Sequence, residues 1–272
     1  MEFLERILRG KAEPKFDGKG LLPVFRGNSL PLADYCGPLG EISEFGDVEI
    51  FSLKKLPASV ESPFVTFKLD VKGRNYQDIL TKTVHQKHRN MVNRAEREGV
   101  QVFKRELKAK YLRAYYSLYV KTMLRLGRVP LPYKAFSVLA ELLPEEAELY
   151  LAEYEGRFIG GLFVFVFGGR MHIWGNASDR GYVGVNNALY AFAIRRACEL
   201  GLSEVDFGSS AVNSTHYFFK ERWGCEAVPI WYRGAHCPDG KAGVLTKVLV
   251  AILKIKPVCG VSFISRILHK II

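Results

Sequence analysis

Apolar and polar positions recur along the chain with two different periods, and each period predicts one kind of element. Residues 64–71 alternate between apolar and polar side chains, a period of two that is typical of a half-buried strand. Residues 76–97 place most of their apolar side chains at helical spacing, and Gly99 follows as a helix stop. Both periods in one chain predict an α/β (α+β) protein.

The second half of the chain, residues 107–233, predicts a longer succession of elements. We expect helices over 108–126, 133–143, 187–200 and 215–223, and strands over 147–154, 158–167, 170–176, 204–207 and 227–232. Glu155-Gly156 and Gly168-Gly169 supply the turn chemistry for two hairpins. This order is expected of a GNAT-like mixed sheet flanked by helices, and it differs from the regular alternation of a doubly wound sheet.

Composition narrows the class of protein. Lys and Arg number 39 against 28 Asp and Glu, a formal charge of +11, which favours an anionic partner such as nucleic acid, a nucleotide diphosphate or lipid headgroups. A basic surface that is merely solvated explains the same charge. The five cysteines are widely spread without a C-x-x-C pair, so neither a disulfide framework nor a zinc site is expected. We expect a cytoplasmic protein without a transmembrane helix or a metal.

A loop containing two glycines follows the strand predicted at 170–176. Small residues let the backbone approach a ligand, and free amides at the start of the next helix bind phosphate. Its candidate cofactor-binding residues are Arg180, Gly181, Gly184, Asn186 and Asn187. An ordinary turn capped by Asn186 explains the pattern equally well.

Two short segments carry residues suited to acyl transfer. Asp206, followed by Gly208 and Ser209, lies at the end of a predicted parallel strand, where open α/β sheets bind ligands. Lys220, next to Phe219, can stabilise the oxyanion of an acyl-transfer intermediate or hold a donor phosphate. Each has a structural alternative, because Asp206 can cap a turn and Lys220 can point to water.

The helix predicted at 76–97 has a cationic face. Arg89 and Arg94 on this face are candidates for binding a phosphate-bearing substrate. A solvated face is the alternative, because cation-rich helix faces are common on basic proteins.

Four segments together resemble the FemABX-like proteins. HRNMVNRAEREGV (residues 88–100) is similar to that family's helix ending in K-x-R-x-x-I-x-K-A-x-x-x-G-V. LGRVP (126–130), VDFG (205–208) and FKERWG (219–224) are similar to its later landmarks, in the same order. The resemblance extends over residues 64–233.

The resemblance implies two GNAT-like domains and an acceptor cleft in or between them. Family members transfer amino acids from aminoacyl-tRNA to peptidoglycan precursors, and relatives of the GNAT class use acyl-CoA. It also implies that Phe219 and Lys220 lie beside the transferred carbonyl and that Asp206 and Gly208 line the same cleft. We expect a shortened first GNAT-like domain at 1–105, an acyltransferase domain at 106–235 and a basic amphipathic tail at 236–272.

The tail is a separate signal. No acidic residue follows Asp239, and Ile264, Ile267, Leu268 and Ile271 form one apolar stripe at helical spacing. The pattern predicts either peripheral membrane contact through residues 243–272 or a helix packed on the domain or on a second subunit.

These observations favour an acyl- or aminoacyltransferase at the amine of an anionic cell-envelope precursor, of the peptidoglycan, polysaccharide or lipid type. Its donor co-substrate would be acyl-CoA or aminoacyl-tRNA, so tRNA is a candidate partner, and no cofactor would be bound permanently. It would act in the cytoplasm or at the inner face of the membrane. Two alternatives stay open: an acyl-CoA N-acyltransferase acting on a soluble small amine, and a non-catalytic module that binds RNA or membrane.

Overall fold

The computed structural model describes residues 15–16, 20–22, 24–25, 28–29, 35, 39–40, 50–234, 237, 244–254, 261–262 and 265. Its strands are β1 (Lys15–Phe16), β2 (Gly20–Leu22), β3 (Val24–Phe25), β4 (Asn28–Ser29), β5 (Leu39–Gly40), β6 (Ile50–Ser52), β7 (Val60–Asp70), β8 (Gln101–Arg105), β9 (Ala147–Tyr154), β10 (Arg157–Phe167), β11 (Arg170–Ser178), β12 (Glu204–Ala211) and β13 (Glu226–Arg233). Its helices are α1 (Tyr76–Asp78), α2 (Gln86–Arg97), α3 (Ala109–Arg125), α4 (Tyr133–Leu142), α5 (Val185–Glu199), α6 (Thr215–Glu221) and α7 (Val244–Lys254), with a π-helical turn at Ile79–Thr83.

Eight strands form one mixed sheet in the order β6-β13-β7-β12-β11-β10-β9-β8. Strands β8 to β11 pair antiparallel in sequence order, whereas β12 pairs parallel to β11. The predicted α/β class and the predicted order of elements from residue 108 to residue 232 are confirmed. Of the helices in the described ranges, none is both long and apolar enough to cross a bilayer.

The chain divides into two compact units that alternate along the sequence. The first unit takes its described residues from 1–67, 208–218 and 227–241, and the second takes them from 68–207, 219–226 and 242–272. Four of the five boundaries fall within β7, β12, α6 and β13. These units are defined by which residues lie close together in space. The domains predicted from sequence, with boundaries at residues 105 and 235, therefore stay a prediction.

Helices α3 and α5 pack closely on strand β10 of the second unit because two adjacent glycines leave room for them. A Cβ on Gly160 would lie 2.5 Å from the side chain of Val185 in α5. A Cβ on Gly161 would lie 2.9 Å from the ring of Tyr115 in α3. Successive strand residues point to opposite faces, so the two glycines admit one helix on each face of the sheet.

The helix predicted as continuous over 76–97 is interrupted, and this prediction was wrong in its middle. Val84 and His85 adopt extended backbone between the π-helical turn and α2. The Nη1 of Arg89 donates to the carbonyl oxygens of Thr81 at 2.8 Å and of Val84 at 2.9 Å, which satisfies backbone groups that the interruption leaves without helical partners.

Candidate functional site

The parallel pairing between β11 and β12 is short. It consists of three residue pairs, Arg170–His172 with Glu204–Asp206. Strand β11 continues to Ser178, where it still pairs with β10. Beyond His172, the backbone groups on the edge of β11 that faces β12 therefore take no part in this ladder. They lie at the carboxyl end of the strand, where α/β sheets bind ligands.

The predicted phosphate loop lies between the carboxyl end of β11 and helix α5. Gly184 is the N-cap of α5, with φ of 76° and no side-chain cap. A Cβ at this position would lie 2.7 Å from the carbonyl oxygen of Met91 in α2. The alternative in which Asn186 caps the helix is therefore wrong, because Asn186 is already inside α5. The first amides of α5 have no side-chain cap, which is the arrangement that binds anions.

The other loop residues differ in exposure. Arg180 and Gly181 are exposed, and the Gly181 amide donates to Oδ1 of Asp179 at 2.9 Å. Oδ1 of Asn186 and Nδ2 of Asn187 are buried atoms without a hydrogen-bond partner. Buried polar atoms are normally paired, and of these two only Nδ2 of Asn187 is a donor that suits an anionic ligand.

The cationic face of α2 adjoins this loop. A depression of about 500 Å³ is lined by Asn90, Met91, Asn93, Arg94 and Arg97. Met91 also lies against Gly184, so the depression and the start of α5 are neighbours within the second unit. Exposed Arg94 pairs with Glu98 at 2.6 Å.

Arg89 has a different environment from Arg94. Its guanidinium is occupied by the carbonyl groups described above, and Arg89 is not among the residues that line the depression. The two predicted substrate-binding arginines are thus not brought together.

Lys220 and Asp206 are both buried, at 7% and 3% exposure. The alternative in which Lys220 points to water therefore does not hold. Burial raises the pKa of the Cys225 thiol well above its ordinary value; the Lys220 ammonium opposes this rise and the Asp206 carboxylate adds to it. Both charged groups thus act on one buried sulfur, and Nδ1 of His172 lies 3.8 Å from Oδ2 of Asp206.

An aromatic cluster surrounds the segment that carries Lys220. The ring of Tyr190 lies 5.3 Å from that of Phe219 and 5.0 Å from that of Phe207. Burial raises the pKa of Tyr190 to about 12, and a hydrogen bond with Asn176 opposes the rise. Tyr190 therefore connects β11, through Asn176, to β12 and α6.

Gly208 and Ser209 follow Asp206 but belong to the first unit. Gly208 is buried with φ of 75°, in the left-handed region that favours glycine, and Ser209 is half-buried. Their role in substrate binding stays a prediction.

Sequence reasoning did not single out His172, Tyr190, Asn176 or Cys225. Tyr190 fitted the apolar face of a helix, and Cys225 lacked a second cysteine nearby. His172 offered one signal, a titratable residue inside the strand predicted at 170–176. Throughout the described ranges, no group of three or more His, Cys, Asp or Glu side chains is placed to hold a metal ion.

Comparison with known proteins gives a family match and several matching folds. The model of the acetyltransferase (GNAT) domain family matches residues 83–220. No curated protein sequence matches the chain. A crystal structure of FemX is 14% identical, with 84% of this chain and 89% of that chain covered and a TM-score of 0.62.

Two further solved structures have a similar fold. The C-terminal domain of a putative lysylphosphatidylglycerol synthetase from Agrobacterium fabrum is 10% identical, with 93% of this chain and 96% of that chain covered and a TM-score of 0.59. L-PGS from Bacillus licheniformis is 15% identical, with 94% and 96% covered and a TM-score of 0.53. At these identities the likenesses show a shared fold.

Proposed function

The chain belongs to the acetyltransferase (GNAT) domain family, and we propose that this acyltransferase moves an activated acyl or aminoacyl group onto the amine of an anionic cell-envelope precursor. The observation that carries the proposal is the burial of Lys220 and Asp206, whose charges both act on Cys225, with Asp206 in the last residue pair of the β11–β12 ladder. The envelope acceptor, of the peptidoglycan, polysaccharide or lipid type, is supported by the shared fold with FemX, with the domain named as lysylphosphatidylglycerol synthetase and with L-PGS.

The donor binds, in this proposal, at the start of α5. GNAT domains use acyl-CoA as a co-substrate, and uncapped helix amides together with the Asn187 amide suit its pyrophosphate. Arg94 and Arg97 in the neighbouring depression suit a more distant phosphate. The 3′ end of aminoacyl-tRNA also carries phosphate groups and an activated carbonyl, so aminoacyl-tRNA is the second candidate donor.

The reaction forms a C–N bond and breaks a C–S or C–O bond. The neutral acceptor amine attacks the donor carbonyl, and the Lys220 ammonium stabilises the oxyanion that develops. Asp206 accepts the proton that the amine loses and then returns it to the thiolate or alkoxide that leaves. One such oxyanion donor contributes ~3 kcal/mol to lowering the barrier.

Lys220→Ala and Asp206→Asn test these roles. We expect each to lower kcat by about 10²-fold or more, because an oxyanion donor or a general base is lost. The assay supplies radiolabelled acyl-CoA or aminoacyl-tRNA and an amine-bearing envelope precursor. Lys121→Ala, an exposed lysine on α3, is the control and should keep wild-type activity.

Two results would reject the assignment. Full activity of folded Lys220→Ala would remove the proposed role of the ammonium. A wild-type protein that is stabilised by neither coenzyme A nor tRNA in thermal melting would argue against both donors. Salt dependence separates them, because tRNA binding weakens steeply with salt.

A soluble small amine as acceptor is the second candidate function. It is supported by the family match, since the matched model describes an acetyltransferase domain without reference to the cell envelope. Transfer to free small amines but not to envelope precursors in the same assay would favour it.

We also propose that α7 contacts an anionic membrane surface at the inner face of the membrane. Val248 and Ile252 are 51% and 45% exposed, whereas Val250 and Leu253 on the other side of the helix are buried. Lys247 and Lys254 are exposed beside the apolar face, and a lysine near anionic lipid contributes about 1 kcal/mol.

The stripe Ile264, Ile267, Leu268 and Ile271 lies outside the described residues. Part of the tail packs on α4 and the residues before it, within the second unit, since the Tyr133 amide donates to Oγ of Ser262 at 3.0 Å and the Ser265 hydroxyl donates to the Pro130 carbonyl.

A further inference from the structure

His88 lies under the segment that carries Lys220. This α2 side chain is 4% exposed, and its Nε2 lies 2.8 Å from the carbonyl oxygen of Phe219. A carbonyl oxygen only accepts hydrogen bonds, so the imidazole carries its proton on Nε2 and donates. The ring also packs on Phe219 and Trp223, with centroids 4.7 and 5.1 Å away.

The end of α6 has its carbonyl groups satisfied in two ways. The carbonyls of Lys220 and Glu221 accept from amides further along the same turn. The carbonyl of Phe219 accepts from His88, and the carbonyl of Arg222 accepts from the His85 amide at 2.8 Å. The second pair of bonds comes from α2 and the residue that precedes it, so the interrupted helix holds both ends of segment 219–222.

A third contact reinforces this join. Gly224 has φ of 77°, and a Cβ there would lie 2.9 Å from the carbonyl oxygen of Thr83. Only glycine permits so close an approach of the two backbones with this φ. Residues 83–88 therefore form a clamp on residues 219–224.

Helix α6 depends on this clamp for its geometry. It has seven residues, too few for an isolated helix to be stable in water. The direction of the Lys220 side chain is consequently set by tertiary contacts rather than by the helix itself. A displacement of about 1 Å at a reacting group can cost about 10²-fold in rate.

We propose that His88 is a positioning residue that orients Lys220 toward the transferred carbonyl through the Phe219 carbonyl. This inference rests on the proposed function of Lys220. His88 acts through the backbone and does not itself touch the substrate.

The charge state of His88 is consistent with this role. Burial lowers the pKa of His88, and the charges of Arg222, His85 and Lys87 lower it further, whereas the hydrogen bond to Phe219 opposes the change. The ring is thus mostly neutral at neutral pH and donates its hydrogen bond without adding a positive charge beside the Lys220 ammonium.

Three variants separate positioning from packing. His88→Met keeps a side chain of similar length without a donor, and His88→Gln keeps an amide N–H at about the position of Nε2. Arg113→Ala, an exposed change on α3 outside this clamp, is the control. We expect His88→Met to lower kcat by about 10²-fold with little change in donor KM, and His88→Gln to recover most of that loss.

A second readout does not need enzymatic turnover. Trace labelling with acetic anhydride, followed by peptide mass spectrometry, measures the reactivity of Lys220 relative to exposed Lys121. We expect His88→Met to raise the relative labelling of Lys220, and His88→Gln to leave it at the wild-type level. Each folded protein is labelled at the same fraction of its own melting temperature.

The outcomes are distinguishable. Unchanged kcat and unchanged labelling in His88→Met overturn the positioning role, and equal losses in the Met and Gln variants assign His88 to packing alone. If the wild-type chain transfers no acyl group, the proposed function fails, and the labelling still decides whether His88 orients Lys220.

Discussion

Gly184 allows the start of α5 to be tested separately from the rest of the fold. Gly184→Ala puts a methyl group on backbone with φ of 76°, 2.7 Å from the Met91 carbonyl oxygen. The left-handed backbone alone costs about 1–2 kcal/mol for a residue with a Cβ. Relieving the contact adds ~1–3 kcal/mol, as for other overpacked sites. We therefore expect the free energy of unfolding to fall by about 2–5 kcal/mol.

Gly201, which follows the other end of α5, is a matched control. It has φ of 65°, but a Cβ there would meet no atom within 4 Å. Gly201→Ala should therefore lose only the ~1–2 kcal/mol of the backbone change. Urea unfolding measures both variants, and calorimetric titration with coenzyme A measures donor affinity, which only Gly184→Ala should weaken. Equal losses of stability in the two variants, or unchanged coenzyme A affinity in folded Gly184→Ala, would refute the reasoning.

Two further predictions concern the sheet and the tail. Burial alone would raise the pKa of Glu148, but hydrogen bonds from Lys104 and Tyr150 and the charge of Arg196 outweigh it and lower this pKa. A lowered folded-state pKa contributes stability above the unfolded carboxyl value of about 4.3, and this contribution is lost as pH falls through the folded value. Melting curves from pH 7 to pH 3 should therefore show Glu148→Gln to be less stable than wild type at pH 7 and closer to it at pH 3; a constant difference would contradict this. In α7, Val248→Glu with Ile252→Glu should abolish sedimentation with phosphatidylglycerol vesicles, whereas the exposed change Gln86→Ala should not; binding that survives the double change would exclude α7 as the contact.

Local periodicity was enough to predict most elements of the second unit. Strands β9, β10 and β11 and helices α3 and α4 lie within about three residues of the bounds read from the pattern. The hydrophobic period reports which side of an element is buried, and burial of that side drives these elements to form. The order of elements and four short motifs then indicated the GNAT family, which the family match confirms.

Contacts distant in sequence decided the rest. At the interruption the His85 amide donates to the carbonyl oxygen of Arg222, and the His88 hydrogen bond joins residues 131 positions apart. No period within one helix contains this information. Local sequence also does not predict the burial of Lys220, because a charged side chain considered by itself favours exposure.

The sequence by itself determined which elements form, in what order, and that Asp206 and Lys220 are chemically suited to acyl transfer. Only the tertiary structure decided that Lys220 is buried and that α2 holds the end of the short helix that carries it. The physical reason is that a cation loses hydration on burial, so its placement depends on surrounding groups that distant parts of the chain supply.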